Sequence, residues 1–559
     1  MAKEKLPTKA QFERLLGLIE KQTETDPVSL LDGTKKKYFE TMQKWFTERN
    51  ADGLGKAALT KLVDEWYTVT RKPWDGWVDF DAVEVSALST GTKGGDNASL
   101  TCTPSTNETA GQDDYAGLPL FACVDCNWEI DPDTLEPVIT AIAGITKGFE
   151  RYNPEKMVGV LQASGYVYMH ETATNIRLGY TATFIPYATI QPLPEAVRPS
   201  DRSVRPWVLH AKYPNKTVDG KLTSYSGPIP TAFNISHNTL HTLAAATGTG
   251  YSGMCFCDWS FLRLMFHIKY ASLSADGILQ GCLANNVTAA AAVSEVGVKR
   301  LLLTTNPGFE AGMGVLVGVK SASDAIDRSA NNYSISTNAG CKITAIETVN
   351  IAEDEYVAVY VDVEEPFDTT ADTTCIATFH WPNGSSDNVL GNDGSPKNPG
   401  GGKYPAKLQG IEYSVGGSEV LADTIIDYFQ QDDIYKVQAY TVNRVANQAT
   451  SITGNYKASE VVVEQSESAG YRYIKKMALA GGMLFPEVFG GSSSTYFKDS
   501  WYMNGSITGV KELCVFGSLS NGTAYYGLSY GYASGGLAPA PWYIVSRPSP
   551  NGNRGEWTA

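Results

Sequence analysis

Hydrophobic and polar residues follow a helical period near the start of the chain. Apolar stripes with spacings of three and four residues predict short amphipathic helices. The stripes consist of Leu15, Leu16 and Ile19; of Tyr38, Met42, Trp45 and Phe46; and of Leu59, Leu62, Val63, Trp66 and Tyr67. A segment this short cannot build a large core of its own. We therefore expect residues 1–73 either to attach the protein to a larger assembly or to form a small bundle that caps the next domain.

From Trp74 onward the period changes to that of strands. Residues 74–81, WDGWVDFD, alternate apolar and polar positions, and turn-rich segments follow, so that residues 74–254 are predicted to form a β-rich domain. Helical spacing returns twice after that. Residues 234–246 predict a helix that begins at Ser236 or Asn238. A second, buried helix is predicted from five residues on one face, which are Trp259, Leu262, Met265, Phe266 and Tyr270.

The remaining chain divides into three predicted parts. Four alternating segments predict strands of a small antiparallel barrel or sandwich, which together with the preceding helix forms a spacer over residues 255–382. These segments are 301–305, 315–319, 342–349 and 356–363. Residues 383–403 are almost all turn formers and are predicted to be a linker, which leaves 404–559 as the last domain. The predicted fold class is α+β, multidomain and mostly β.

Charge and composition exclude several classes of partner. The 559 residues carry a net charge of −15, which argues against a nucleic-acid binder, since such proteins need clustered Lys and Arg. No apolar run is long enough to cross a bilayer, and the charged N-terminus lacks the apolar region of a signal peptide. Nine cysteines are an odd number for a disulfide framework, so folding in a reducing cytosol is expected, without membrane insertion.

Candidate metal ligands are sparse. Cys123 and Cys126 form one CxxC pair, and Cys255 and Cys257 form a CxC pair, which leaves open a zinc site if the pairs meet in space and buried thiols if they do not. His237 and His241 are spaced i, i+4, but the Glu of a metalloprotease HExxH motif is missing. We expect no metal, no cofactor and no catalytic residue.

The aromatic content is concentrated in residues 516–543. This window holds five Tyr, one Trp, four Ser and six Gly, and it contains no charged residue and no His. Tyr and Trp provide rigid contact area while Ser, Gly and Asn provide adaptable hydrogen bonds, as in antibody paratopes. The window is typical either of a binding surface or of a Gly-punctuated β-meander whose tyrosines cover a core.

The last domain contains two short motifs, LQGIEY at residues 408–413 and VGG at 415–417. They resemble the "RGIE, then WGN" signature of the C-type-lectin-like fold in the formylglycine-generating-enzyme branch, with Gln409 where Arg is usual and Gly417 where Asn is usual. The chain end, 544–547, keeps the closing Arg of the family. The block is similar to the variable proteins of diversity-generating retroelements, the class that includes phage tropism determinants. The paired cysteines of the enzyme branch and a Ca²⁺ lectin triplet are missing.

The resemblance implies a set of diversified contact residues on one exposed face. Their adenine-rich codons would be the targets of mutagenesis. The implied receptor-binding residues are Leu519, Asn521, Thr523, Tyr525, Tyr526, Ser529, Tyr530, Tyr532, Trp542 and Tyr543. The implied scaffold residues are Gly517, Gly522, Gly527 and Arg547.

These observations lead to one preferred function and two alternatives. The preferred function is a non-enzymatic phage structural protein, a tail or fibre-tip adhesin of the virion. It would be a homotrimer that binds a host cell-surface protein or glycan and contacts other virion proteins through its N-terminal region. The first alternative is a capsid or tail assembly protein whose aromatic face is buried between subunits. The second is a glycan depolymerase, which needs paired carboxylates such as Asp427, Asp432 and Asp433 or those of 353–355.

Overall fold

The computed structural model describes residues 33–82, 89–186, 189–320, 328, 335–336, 339–465, 468–521 and 527–557. Strands dominate these residues, so the predicted β-rich class is confirmed. Four α-helices accompany the sheets in the described ranges: α1 (Gly33–Glu48), α2 (Lys56–Val69), α3 (His237–Thr247) and α4 (Phe256–Tyr270). None of these helices combines the length and apolarity needed to cross a bilayer.

Helices α1 and α2 confirm the second and third predicted stripes. Met42 and Phe46 of α1 and Leu59, Val63 and Trp66 of α2 are buried. The stripes pack against the neighbouring β-structure, and the Ile139 backbone N–H donates to the Thr60 hydroxyl at 2.8 Å. The two helices thus cap the next sheet. Capping is one of the two roles expected for residues 1–73. The first stripe, Leu15 to Ile19, lies outside the described residues.

Two antiparallel sheets follow the helices. The first has five strands in the order β2-β1-β7-β6-β8, and the second has four in the order β4-β3-β5-β9. Their bounds are β1 (Asp75–Asp81), β2 (Thr92–Gly95), β3 (Cys123–Ile130), β4 (Pro137–Ile142), β5 (Met157–Ala163), β6 (Tyr166–Glu171), β7 (Asn175–Thr181), β8 (Gln191–Pro192) and β9 (Trp207–Ala211). In β1 the predicted alternation holds, with Val78 and Phe80 buried.

The last and largest sheet has nine strands. They are β19 (Ser418–Gln431), β20 (Ile434–Thr441), β21 (Lys457–Glu464), β22 (Gly470–Ala480), β23 (Met483–Phe489), β24 (Ser500–Met503), β25 (Gly509–Val515), β26 (Gly531–Tyr532) and β27 (Ile544–Val545). Eight follow the order β21-β20-β19-β25-β26-β24-β22-β23, and β27 pairs with β19. The two outer strands, β21 and β23, also contact each other, so the sheet curls toward a barrel.

Helix α4 is the centre of the main core. Every residue from Phe256 to Lys269 is buried, as expected for a helix surrounded by protein. It contacts β1 and β7 of the five-stranded sheet and β19 and β23 of the nine-stranded sheet. Its polar residues have partners inside the core. The Arg263 guanidinium donates to the Leu484 carbonyl (2.6 Å), and His267 Nδ1 lies 2.7 Å from the Ser272 carbonyl.

A six-stranded antiparallel sheet forms a module with a core of its own. Its strands are β11 (Thr288–Ala290), β12 (Arg300–Leu303), β13 (Gly314–Val319), β14 (Cys341–Ile351), β15 (Asp354–Val361) and β16 (Thr374–Thr378), in the order β11-β16-β13-β14-β15-β12. The four predicted strands are therefore confirmed. The Ala292 N–H donates to the Leu302 carbonyl at 2.7 Å, which connects the two edges and closes the sheet toward a barrel. Helix α4 belongs to the main core, so the predicted grouping of this helix with the spacer is corrected.

The predicted linker is a packed segment. Asp393 is 2% exposed and lies 2.7 Å from the Lys269 ammonium of α4. Ser386, also buried, donates to the buried Glu412 carboxylate (2.6 Å). The turn-forming composition predicts a domain boundary, but distant protein groups pair with buried polar side chains such as Asp393 and Ser386, so the segment can be buried.

The predicted boundary at residue 404 is not a break in the fold. Two small antiparallel pairs, β17 (Ala406–Leu408) with β18 (Ile411–Tyr413) and β10 (Ser252–Gly253) with β28 (Pro548–Ser549), complete the structure. The second pair joins the chain end to the turn before α4. A single apolar core includes residues from α1, the first two sheets, α4 and the nine-stranded sheet.

Candidate binding surface

Three tyrosines are aligned by the register of the nine-stranded sheet. Tyr471 of β22 lies opposite Tyr502 of β24, and Tyr502 lies opposite Tyr532 of β26. Directly opposed residues of neighbouring strands share one face, where their side chains contact each other. The alternate residue of β24, Trp501, points the other way and is buried. The sheet therefore sorts the aromatic residues into a buried set and a surface set.

The aligned rings are in contact. The centroids of Tyr471 and Tyr502 are 4.9 Å apart in an edge-to-face arrangement, and those of Tyr502 and Tyr532 are 5.7 Å apart and stacked. Tyr543 lies next to Tyr532, close enough for each hydroxyl to shift the pKa of the other. All four side chains are half-buried. We call Tyr471, Tyr502, Tyr532 and Tyr543 the tyrosine ladder.

Neutral polar groups border the ladder. Asn521 donates to the Tyr530 hydroxyl at 2.7 Å and reaches the Tyr471 hydroxyl at 3.4 Å. The Ser534 hydroxyl donates to the Asn504 amide oxygen at 2.7 Å. Hydroxyl and amide groups beside rigid aromatic rings are the combination that antibody paratopes use.

Trp542 is oriented toward the six-stranded module. Its ring is half-buried, with the Arg328 guanidinium 4.8 Å from the ring centroid and the His380 ring stacked at 6.4 Å. It also contacts Tyr543 edge-to-face at 5.7 Å. Trp542 thus lies at one end of the ladder and connects it to the neighbouring sheet.

Three predicted contact residues are in the interior, which corrects their assignment to a surface. Leu519, Ser529 and Tyr530 have no exposed surface. Leu519 packs in the core of the six-stranded module, and the Ser529 N–H donates to the Asp499 carboxylate (2.7 Å). The residue types at these positions are typical of a contact surface, but in the folded protein the three side chains lie in the core. Of the others, Thr523, Tyr525, Tyr526 and the scaffold residue Gly522 lie outside the described residues.

The remaining predicted scaffold residues occupy constrained positions. Gly527 has φ 137°, and a Cβ at this position would lie 1.9 Å from Asp499 Oδ1, so a side chain does not fit. Gly517 has φ 81° and is also in the left-handed region. Arg547 is 1% exposed and forms a bidentate pair with Glu419. The Arg547 guanidinium also donates to the Glu412 carbonyl (2.8 Å), which ties the chain end to β18 and β19.

A buried carboxyl lies beneath the ladder without adding charge at neutral pH. Glu512 of β25 accepts a hydrogen bond from the His237 N–H (3.2 Å), and its Oε1 has no partner. Burial raises the pKa of Glu512 to about 8. Burial also raises the pKa of Tyr532 to about 12. The surface around Tyr532 is therefore uncharged at pH 7.

A possible metal centre elsewhere is already neutralised by lysine. Among the described residues, one group of three ligands is close enough to hold an ion: Cys102, Asp113 and Asp393 lie within 4.8 Å of one another. The Lys269 ammonium is 2.7 Å from Asp393 and 3.2 Å from Asp113. Burial raises the pKa of the Cys102 thiol, so it is not a thiolate at neutral pH. Cys102, Asp113 and Asp393 are therefore suited to the buried ammonium of Lys269.

The predicted cysteine and histidine pairs do not provide ligand sets in the described part of the chain either. All nine cysteines are free. The rings of His237 and His241 are 4.6 Å apart, with His241 Nε2 3.0 Å from the Ala422 carbonyl. Burial lowers the pKa of His237 to about 3, so that this ring is neutral. His237 and His241 are therefore packing residues of α3.

A buried Ser, His and Asp cluster has the composition of a catalytic triad but a different connectivity. The Ser549 hydroxyl donates to the Asp258 carboxylate (2.6 Å), which also contacts His210 Nδ1 (2.8 Å). A nucleophilic serine must instead donate to the imidazole, next to space for a substrate. All three residues are at most 3% exposed. The network anchors the chain end to α4.

The carboxylates considered for glycan cleavage lie in hairpins of two different sheets. Asp432 and Asp433 form the turn between β19 and β20, with φ 53° and 61°. Glu353 lies in the turn between β14 and β15, and Asp354 and Glu355 are the first residues of β15. Asp427 is half-buried opposite Gln438. Acidic groups in hairpin turns are typical of solvated surface.

Neither a scan against models of known protein families nor a search of curated protein sequences gives a match to this chain. The function is therefore inferred from the surface itself. Sequence reasoning singled out Tyr532 and Tyr543 but not Tyr471 and Tyr502, which belong to the same ladder. Only the pairing of β22 with β24 and of β24 with β26 brings these tyrosines together, and that pairing is not local in sequence.

Proposed function

We propose that this protein is a non-enzymatic phage structural protein, a tail or fibre-tip adhesin that binds a bacterial surface receptor through the tyrosine ladder. The observation that carries the proposal is the alignment of three half-buried tyrosines on one sheet face, with Tyr543 next to them and neutral amides and hydroxyls at the border. Rigid aromatic side chains lose little conformational freedom on binding and dominate contact energy at interfaces.

The last domain is further proposed to be a C-type-lectin-like variable domain of a diversity-generating retroelement. The buried Arg547–Glu419 pair and the constrained Gly527 support a rigid frame, while Asn521, Tyr532 and Tyr543 are at the surface. A frame of this kind lets contact residues change without loss of the fold. The diversified positions are accordingly proposed to be Asn521, Tyr532, Trp542 and Tyr543, together with residues of 523–526.

Assembly as a homotrimer in the virion would strengthen attachment. Three copies of one surface convert later contacts into intramolecular ones, so that modest affinity at each site gives tight binding. A host protein and a host glycan both suit tyrosine rings, since each ring has an apolar face and a polar hydroxyl.

Binding to whole bacterial cells tests the adhesin proposal. The full-length protein, labelled with a fluorophore, is titrated onto a panel of strains from the habitat of the phage. We expect the double variant Tyr502→Ala and Tyr532→Ala to lose more than tenfold in apparent affinity. The matched control is Tyr356→Ala, a half-buried tyrosine of β15 in the six-stranded module. Equal binding by the double variant and the control would show that the ladder is not part of the contact surface.

Two further measurements separate the proposal from the alternatives. Cryo-electron microscopy of the virion should show the ladder facing solvent, whereas a ladder covered by another subunit would support an assembly protein. In sibling genomes, a near-identical template repeat beside a reverse-transcriptase gene should differ from this gene at adenines in the codons for 516–543. Differences distributed evenly along the repeat would contradict the retroelement proposal.

A further inference from the structure

A charged cavity of about 130 Å³ lies far from the ladder in sequence, where several segments of the chain meet. Helix α1, strand β3, residues 387–392 and strand β17 contribute to its wall. Its charged and amide side chains are Lys35, Asp125, Arg151, Lys212, Asp387, Asn392 and Lys407. Four of these side chains are cationic and two are carboxylates, so the wall has more positive than negative groups.

The two carboxylates are already engaged by two of the cations. The Lys212 ammonium lies 3.0 Å from both oxygens of Asp125, and the Arg151 guanidinium lies 2.6 Å from Asp125 and 3.2 Å from Asp387. Although burial alone would raise it, these two cations hold the pKa of Asp125 at about 2. The Cys123 thiol, which also lines the cavity, is neutral because burial raises its pKa to about 11.

Lys407 has no comparable partner. It is 5% exposed, and its ammonium donates to the Val389 carbonyl at 3.0 Å. Among the described residues, no carboxylate oxygen lies within 4.0 Å of its Nζ. Burial, and then repulsion from Lys212 and Lys35, lower the pKa of Lys407 to about 7. An ammonium buried without a counter-charge is costly, so an anion beside it would be stabilised.

Asn392 supplies a second unmatched group. It is 5% exposed, its Oδ1 accepts a hydrogen bond from the Lys35 ammonium, and its Nδ2 is buried without a partner. Buried amide donors are almost always paired, so an unpaired donor that lines a cavity indicates an absent acceptor. Both unmatched groups, Lys407 Nζ and Asn392 Nδ2, require the same kind of ligand.

We propose that this cavity is a binding site for a small oxyanion, such as phosphate, sulfate or a carboxylate group, held by Lys407, Asn392 and Lys35. A water molecule would satisfy the Asn392 donor, whereas an anion would also hold Lys407 in its charged form at neutral pH. Because Lys35 belongs to α1 and Lys407 to β17, the bound anion fastens the N-terminal helix to the main core. This site is independent of receptor binding.

Thermal unfolding of the full-length protein with inorganic phosphate tests the site. At constant ionic strength, replacing chloride by phosphate should raise Tm by several degrees in a saturable way, because a ligand that binds only the folded state stabilises it. Sulfate and acetate in separate titrations identify the preferred oxyanion. A Tm that is equal in chloride and in all three oxyanions means a water-filled cavity and overturns the proposal.

Variants assign the effect to the cavity. Lys407→Met removes the buried charge and should abolish the phosphate-dependent shift, whereas Lys56→Met, at a 45% exposed lysine of α2, should retain it. Asn392→Asp places a carboxylate beside Lys35 and is the second variant if Lys407→Met does not fold. Asn392→Asp should raise the Tm measured without phosphate and should abolish the phosphate-dependent shift in Tm. A phosphate shift of the same size in Asn392→Asp and the parent protein contradicts the site.

Discussion

Tyr530 and Tyr532 are separated by one residue, yet their side chains have different surroundings. Tyr530 is fully buried and its hydroxyl accepts a hydrogen bond from Asn521, whereas Tyr532 is half-buried beside Tyr502. The short strand β26 starts only at Gly531, so strand alternation does not extend to Tyr530. At this scale the position of a residue relative to a strand end determines whether it contributes to the surface.

Arg547→Met tests the buried scaffold pair. The change leaves the Glu419 carboxylate buried without its guanidinium partner, which should lower the free energy of unfolding by about 3 to 5 kcal/mol. Chemical denaturation of the two proteins measures the difference. The control is Lys457→Met, which removes a pair with Glu556 that is 66% and 49% exposed and should cost about 1 kcal/mol or less. Equal losses in the two variants would exclude a special role for Arg547.

Glu512→Gln tests the neutral carboxyl beneath the ladder. Burial raises its pKa from 4.5 to about 8 in the folded protein. Its contribution to stability is fully present below about pH 4.5 and is lost as pH rises toward 8, since the unfolded chain then binds fewer protons than the folded one.

Tm measured from pH 5 to pH 8 should therefore fall less in Glu512→Gln than in the parent protein. Glu412 and Glu195, whose pKa values burial raises to about 7, keep a similar dependence in both proteins. Identical pH profiles would show that the Glu512 carboxyl does not hold its proton in the folded state.

At the scale of elements, the chain end completes the main core. Strand β28 pairs with β10, the Asn551 amide donates to the Asp258 carboxylate (2.8 Å), and the Arg554 guanidinium donates to Asp423 (2.8 Å). These contacts surround the start of α4, where Asp258 also accepts from the Cys255 N–H (2.9 Å). A few terminal residues thus hold the first turn of the central helix.

Deletion of residues 548–559 should therefore destabilise the whole protein. Asp258 and Asp423 would lose buried partners, and an unsatisfied buried charged group costs more than about 1 to 3 kcal/mol. The yield of soluble protein and its Tm measure the effect. Deletion of 557–559 alone, which leaves β28, Asn551 and Arg554 in place, is the control and should behave like the full chain. A normal Tm for the longer deletion would show that the start of α4 is held without the chain end.

At the scale of the whole molecule, segments distant in sequence share one core. The Trp259 indole N–H of α4 donates to the Leu528 carbonyl (2.7 Å), and the Phe256 ring stacks on Phe485 at 4.2 Å. The residues that carry the ladder thus rest on a helix that lies more than 100 residues before the predicted domain boundary. The tyrosine ladder therefore depends on the complete core.

The isolated fragment 404–559 should therefore not fold by itself. Without α4 it exposes the apolar inner face of the nine-stranded sheet, so we expect aggregation or the absence of a cooperative transition in near-ultraviolet circular dichroism. The full-length protein, measured in parallel, should show a sharp transition. A soluble fragment with a sharp thermal transition of its own would establish 404–559 as an independent domain.

The hydrophobic pattern by itself determined the local structure: the helices at 33–69, the helix that begins after Ser236, the buried helix around Trp259 and the strands at 300–361. Those signals are local, because side-chain periodicity reflects burial of one face of a single element. The family resemblance of the last domain implied Tyr532 and Tyr543 as surface candidates. It did not distinguish them from the buried Leu519 and Tyr530.

Tertiary structure alone decided which residues meet. The tyrosine ladder depends on the register of β22, β24 and β26, and the oxyanion cavity depends on the approach of Lys35 to Lys407, more than 370 residues later. The turn-rich segment 383–403 became part of the core because distant groups pair with its buried polar side chains, as Lys269 does with Asp393. Long-range pairing of this kind has no periodic signature in one sequence, so the binding face and the cavity were visible only in the folded protein.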